Sequence, residues 1–248
     1  MEIKLDQHFL SDKEVLSKIV ETIDINPEDI IFEIGPGHGV LTKEILNQKP
    51  KKLIVCELDE SLIQKLKSLI SSPHSLILGN ALDEIPNSTF TKLVGNIPYA
   101  ITEPLYEQIL DLKIPFVVLM HGKRFYEQYA SKQTNKWHYF INAFYDVEKI
   151  CKVPGTSFKP KTKVDSVVVK LTPKENITEE DKFFQFLFEK RDRICKNALL
   201  FSLVDSKKIS KKDAKQQLEE MELRKEILDK RVKNLSNNEF INILTRIL

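Results

Sequence analysis

The stretch Ile30-Ile-Phe-Glu-Ile34 runs straight into Gly35-Pro-Gly-His-Gly39-Val40, and this junction decides the fold. Four of these five residues are β-branched or aromatic, and the run reads as a buried strand. Three glycines within the next five positions let the backbone turn tightly and let a ligand approach where a Cβ would stand in the way. A helix follows from about Val40 to Gln48. Working outward, Leu53–Glu57, Ser75–Leu78, Lys92–Asn96 and Pro115–His121 read as further short strands, with helices over Ser61–Ile70 and Glu103–Leu112. Such alternation predicts an α/β fold built on a parallel sheet covered on both faces. Tyr139–Tyr145 and Val164–Leu171 follow with no clear helix between them, so the sheet is expected to end in an antiparallel pair. Beyond Pro173 no strand signal remains; Asp181–Phe188, Arg191–Val204, Lys211–Arg224 and Asn237–Leu248 all read as helices. The break falls in 172–178 and predicts two domains, 1–174 and 175–248.

Composition narrows the function classes. In 248 residues, 42% are apolar and 30% charged, enough to bury a sizeable core. The purest apolar run, Phe116-Val-Val-Leu-Met120, is far short of the roughly 20 residues that span a membrane. Residues 1–10 have no signal-peptide pattern. Cys56, Cys151 and Cys195 form no C-x-x-C pair, which argues against a disulfide framework or a zinc cluster. His8, His38, His74, His121 and His138 lack ligand spacing, so no metal is expected. A cytoplasmic protein is the expectation, and a monomer, since nothing suggests an obligate oligomer. The net charge of +2 is unevenly divided: residues 1–148 carry 15 Lys+Arg against 21 Asp+Glu, 149–170 carry 6 against 1, and 171–248 carry 17 against 14. An acidic first part and a basic remainder suit a small ligand in one and a polyanion at the other.

Two motifs carry chemistry. Glu57 ends the second strand, where a carboxylate can accept both hydroxyl hydrogens of a ribose. Position 40 is Val rather than Gly, and no Lys-Ser/Thr follows, so the loop is neither a dinucleotide fingerprint nor a phosphate loop. E-x-G-x-G-x-G with a later acidic residue suits S-adenosylmethionine, which has a ribose and no phosphate. The second motif, Gly95-Asn96-Ile97-Pro98-Tyr99, closes the fourth strand, at the sheet edge where ligands of open α/β folds bind. Its acceptors fit methylation of an exocyclic amine, whose lone pair is delocalised into the ring. The Asn96 carboxamide and the carbonyl of Ile97 or Pro98 can accept the two N–H groups, favouring pyramidalisation and stabilising the charge that appears as a methyl arrives. Pro98 fixes the turn, and Tyr99 offers a face for a flipped base. Lys123 and Arg124 follow the fifth strand at the same edge and are candidate phosphate contacts.

Taken together, Gln7-His8-Phe9-Leu10, the glycine loop with Leu41-Thr42, Asn96-Ile-Pro-Tyr99 and Phe158-Lys-Pro-Lys-Thr-Lys-Val-Asp-Ser166 resemble the KsgA family of ribosomal RNA adenine dimethyltransferases, in the family's order over residues 4–171. Lys190-Arg-Asp-Arg-Ile-Cys-Lys-Asn-Ala-Leu199 resembles its C-terminal domain more loosely. The resemblance implies a class I methyltransferase (Rossmann-like) sheet of seven strands with a small C-terminal helical domain. It implies dimethylation of N6 on two adjacent adenosines near the 3′ end of small-subunit rRNA, during ribosome biogenesis. By position, His8, Leu10, Gly35, Gly37, Glu57, Asn80 and Asn96 would hold S-adenosylmethionine. Asn96 would join cofactor to target, and Tyr99 and Phe158 would sandwich the base. Lys159, Lys161, Arg191 and Arg193, with Lys123 and Arg124, would meet RNA. Two departures stand out: Asn80 occupies a position usually held by Asp, and Asp6 one commonly held by Gly. Two alternatives stay open at this point, a macrolide-resistance type enzyme acting on large-subunit rRNA and a non-catalytic binding factor of the same fold.

Overall fold

The computed structural model describes residues 8–130 and 135–247, so Asp6 and Gln7 lie outside the described residues. The strands are β1 (Phe9–Leu10), β2 (Ile30–Ile34), β3 (Lys52–Glu57), β4 (Ser75–Leu78), β5 (Lys92–Asn96), β6 (Val117–Gly122), β7 (Tyr145–Val153), β8 (Phe158–Lys159) and β9 (Ser166–Pro173). Seven of them form one sheet in the order β4-β3-β2-β5-β6-β9-β7. β4, β3, β2, β5 and β6 run parallel, and β9 is antiparallel to β6. This is the expected mostly parallel seven-stranded α/β sheet. The chain builds outward from β2 to β4, then returns to add β5 on the other side of β2. Ligands of such sheets bind where the order reverses, at the carboxyl ends of the strands.

The sheet is held by its branched residues. Ile31, Leu53, Val55, Val94, Val118 and Val168 are at most 1% exposed, and α1 (Lys13–Ile23) packs Val15, Ile19 and Ile23 into the same cluster. Each such side chain contributes about 1.5–3 kcal/mol by leaving water. Asp12 starts α1, its carboxylate accepting from the Glu14 and Val15 N–H groups. α2 (Val40–Asn47) begins directly after the glycine loop, α3 (Glu60–Lys67) is capped by Asp59, and α4 (Ala81–Glu84) by Asn80. α5 (Thr102–Leu112) and α6 (Lys123–Ala130) flank β6 in sequence.

The chain divides into two compact units, Met1–Tyr126 with Val147–Pro173 and Glu127–Asp146 with Lys174–Leu248. One expectation needs correction here. Tyr139–Tyr145 is not a strand: α7 (Lys136–Phe144) occupies it, and the strand starts only at Tyr145. Asn135 caps the helix by accepting from the Trp137 N–H, and buried Trp137, Phe140, Ile141 and Phe144 recur at helical spacing. Their aromatic and branched character suits a strand, but the second unit's core overrides it. Phe140 packs at 5.3 Å from Phe188 and 5.2 Å from Phe240, and Tyr139 at 4.9 Å from Phe184, ring centre to ring centre. Phe184 and Phe188 come from α8 (Glu179–Glu189), whose first turn is closed by a capping box between Thr178 and Asp181. Lys174 donates to Asp181 at 2.6 Å. Burial alone would raise the Asp181 carboxyl, but the Lys174 and Thr178 bonds outweigh it and hold it below the usual range. α9 (Cys195–Lys207) starts four residues later than the sequence suggests, leaving Arg191 and Arg193 in the turn before it. α10 (Lys211–Glu220), α11 (Lys225–Leu228) and α12 (Asn237–Ile247) complete the unit. No helix among the described residues is long and apolar enough to cross a membrane.

Candidate active site

The glycine loop joins β2 to α2 with Gly35, Gly37 and Gly39 all at positive φ. At Gly37 a side chain would be excluded twice over: φ is +58°, and a Cβ would lie 2.7 Å from the Phe9 ring. The Gly37 N–H donates to Glu57 Oε2 at 3.0 Å, and the Asp59 N–H donates to Glu57 Oε1 at 2.9 Å. Two backbone donors thus orient the Glu57 carboxylate at the end of β3, each oxygen keeping a further lone pair. In register with Glu57 on the next strand stands Leu78, and Leu78 and Leu58 are 52% and 59% exposed. Apolar side chains exposed beside an oriented carboxylate are what a nucleoside requires: a surface for the base and an acceptor for the ribose. The residues present therefore fit the nucleoside part of S-adenosylmethionine. Asn80 Oδ1 accepts from the Leu82 N–H at 3.1 Å, so the oxygen expected at the cofactor adenine also serves as the cap of α4.

A second carboxyl lies under the loop. Glu33 is 1% exposed, and its Oε2 has no hydrogen-bond partner among the described residues. Burial, with the Glu57 charge adding to it, pushes this carboxyl up to about 8, so it keeps its proton at neutral pH.

Motifs distant in sequence meet through a two-stranded ribbon. β1 pairs antiparallel with β8, Phe9 opposite Lys159 and Leu10 opposite Phe158. His8 Nδ1 donates to the Pro160 carbonyl at 2.9 Å, since that oxygen can only accept. Asn96 Nδ2 donates to the His8 carbonyl at 3.4 Å. A Cβ on Gly35 would lie 3.9 Å from the Asn96 carbonyl. The N-terminal motif, the glycine loop, Asn96-Ile-Pro-Tyr99 and the 158–161 segment are thereby brought to one place. Beyond Asn96, Ile97 is buried and donates its N–H to the Met120 carbonyl at 2.7 Å. The Pro98 carbonyl accepts from the Ile101 N–H and the Thr102 hydroxyl, both at 3.2 Å. Tyr99 is 52% exposed whereas Phe158 is 3% exposed and packed in the core cluster, so the two aromatic rings are presented very differently.

Lys123, Arg124, Lys159 and Lys161 are exposed side chains of the first unit. Lys152 pairs with Asp165 at 2.8 Å, and the Lys123 N–H donates to the Asp165 carbonyl. In the second unit the Arg191 guanidinium lies 4.1 Å over the Phe188 ring, and the Arg193 guanidinium 4.9 Å over the half-exposed Phe201. Sequence reasoning missed the contact of Phe9 with His38, whose rings lie 4.0 Å apart. It also missed the part of Gly122, whose Cβ position is 2.7 Å from the Tyr99 ring. A glycine closing an apolar strand was the available signal.

Comparison with known proteins decides the family. The profile of the family described as "Ribosomal RNA adenine dimethylase" matches residues 1–247. The chain belongs to this family. Within it, the chain is 37% identical to a protein of Sulfurihydrogenibium sp. named "Ribosomal RNA small subunit methyltransferase A", covering 84% of this chain and 87% of that one. A "Probable ribosomal RNA small subunit methyltransferase A" of Methanococcus vannielii is 32% identical over 98% of both chains. Among solved structures, a dimethyladenosine transferase from Plasmodium falciparum matches with TM-score 0.66 at 27% identity, over 97% of each chain. The 23S rRNA methyltransferase ErmE matches with TM-score 0.63 at 21% identity over 96% of this chain and 98% of its own, which speaks to fold alone. The structure is a class I methyltransferase fold, and this family member is an rRNA adenine dimethyltransferase.

Proposed function

We propose that this dimethylase acts on small-subunit rRNA in ribosome biogenesis, converting adenosines, two adjacent ones near the 3′ end, to N6,N6-dimethyladenosine with S-adenosylmethionine as donor. The observation that carries the reading is the convergence of Asn96-Ile-Pro-Tyr99 with the glycine loop and the His8 carbonyl at the carboxyl end of β5. Gly35, Gly37 and Glu57 hold the cofactor with His8, Leu10, Asn80 and Asn96, and S-adenosylmethionine supplies an electrophilic methyl group. Everything else is done by the chain. Asn96 Nδ2 is committed to the His8 carbonyl, which turns its Oδ1 to acceptance of one N–H of the target amine. Because the Pro98 carbonyl serves the turn at 99–102, the second acceptor falls to the Ile97 carbonyl. Two acceptors draw the nitrogen lone pair out of conjugation and stabilise the positive charge on that nitrogen. The proton it then carries is acidic and leaves to water, so no general base is needed, and positioning supplies most of the rate.

Tyr99 receives the flipped base on its exposed face, and Phe158 backs the site through the ribbon. Stacking of this kind contributes roughly 1–3 kcal/mol per base. Lys123, Arg124, Lys159 and Lys161 on the catalytic unit meet phosphate, as do Arg191 and Arg193 in the C-terminal helical region, here assigned to RNA. The two named relatives favour the small subunit over the large-subunit alternative.

The test is transfer of labelled methyl to unmodified small subunits, with unmodified large-subunit rRNA in parallel, followed by nucleoside analysis. Dimethyladenosine from small subunits alone is expected, and Asn96→Ala should lower turnover by about 10²–10³-fold. Label on large-subunit rRNA would move the assignment to the resistance type, and no label on either to a binding factor.

A further inference from the structure

Behind Tyr99 lies a buried polar pair that the reaction as described does not use. Tyr106 on α5 and His121 on β6 are 0% and 1% exposed. The Tyr106 hydroxyl lies 2.9 Å from His121 Nε2, and His121 Nδ1 lies 3.1 Å from the Gly122 carbonyl. A carbonyl only accepts, so Nδ1 carries the ring proton, Nε2 is the acceptor, and Tyr106 donates to it. Burial lowers the imidazole to about 4, which keeps it in this singly protonated form throughout the neutral range. Phe125 encloses the pair, its ring 4.9 Å from Tyr106 and 5.6 Å from His121, both edge-on. The chain of bonds thus ends on the Gly122 peptide, and Gly122 is the residue against which Tyr99 lies. Its missing Cβ is what admits the Tyr99 Cε1 and Cδ1 edge, at 2.7 and 2.9 Å from the Cβ position.

We propose that Tyr106, His121 and Gly122 are positioning residues for the target base: the first two hold the Gly122 carbonyl, and Gly122 sets the plane of the Tyr99 ring. This rests on the reading of Tyr99 as the stacking face. None of the three touches substrate or cofactor. They act through Tyr99, so their loss lowers turnover on RNA and leaves the KM for S-adenosylmethionine unchanged.

A double-mutant cycle on the full chain tests this, reading labelled methyl transfer to unmodified small subunits. Tyr106→Phe removes the donor to Nε2. Gly122→Ala moves the Tyr99 ring without entering the buried pair, so it stays informative if Tyr106→Phe folds poorly. Each single variant is expected to lower kcat about tenfold at unchanged cofactor KM, and each should have no further effect once Tyr99→Ala is present. Losses that add in full to that of Tyr99→Ala, or a cofactor KM that rises in step, would overturn the positioning role while leaving Tyr99 as the stacking face. Full turnover by Tyr99→Ala alone would overturn the stacking reading, and the positioning role with it.

Discussion

Glu33 sits in the strand that leads into the glycine loop, and its protonated carboxyl makes a residue-level statement about pH. The carboxyl titrates near 4.5 ordinarily and near 8 in the folded chain, which therefore binds the proton more tightly than the unfolded chain does. The stability this proton confers is complete below about 4.5, declines as pH rises towards 8, and is gone above it. Glu33→Gln keeps the shape without the charge, so its thermal midpoint should decline less than that of the parent between pH 5 and 8. Parallel slopes would show that Glu33 ionises freely in the fold. Phe158 is the other instructive residue. Its place in a motif marks it for the base, but at 3% exposed within the core cluster it is also structural. Phe158→Ala should cost about 3–5 kcal/mol in urea unfolding as well as turnover, whereas the exposed Tyr99 should lose turnover with little stability. Both rings stand out along the chain by the motifs that contain them. The burial of Phe158 depends on β1 and α1, which come from the far end of the sequence, and no local pattern encodes that.

Among the elements, the five parallel strands were legible because each is a short apolar run bounded by polar residues, and the glycine loop fixes which end of the sheet binds. Two features were not. The helix Lys136–Phe144 read as a strand, because its aromatic content suits both structures and only packing against Phe184, Phe188 and Phe240 selects between them. The ribbon of β1 and β8 is two residues wide and pairs positions about 150 apart, so neither strand announces itself. The join of α8 to its unit, by contrast, is written locally, in Thr178-Glu-Glu-Asp181. Thr178→Ala should destabilise the start of α8 by about 1 kcal/mol. Amide hydrogen exchange over 180–182 should then speed up severalfold, with the β2–β3–β5 amides unchanged. Equal acceleration in both places would mean that the cap stabilises the whole fold and not this helix.

On the scale of the whole molecule, charge and aromatic content are both partitioned. The segment 149–170, carrying 6 Lys+Arg against 1 Asp+Glu, contains β8 and so brings its charge to the ribbon. Binding to small subunits should weaken linearly with salt on logarithmic axes, and replacing Lys159 and Lys161 together by Ala should make that slope shallower by about 2. An unchanged slope would remove these two lysines from the RNA interface. The second unit, for its part, holds the chain's one tryptophan, Trp137, 4% exposed among its phenylalanines. Indole fluorescence therefore reports from within that unit, while far-ultraviolet circular dichroism sees both. Two denaturation curves recorded on one sample can thus tell whether the molecule melts as one body or as two, with no label added and no residue changed.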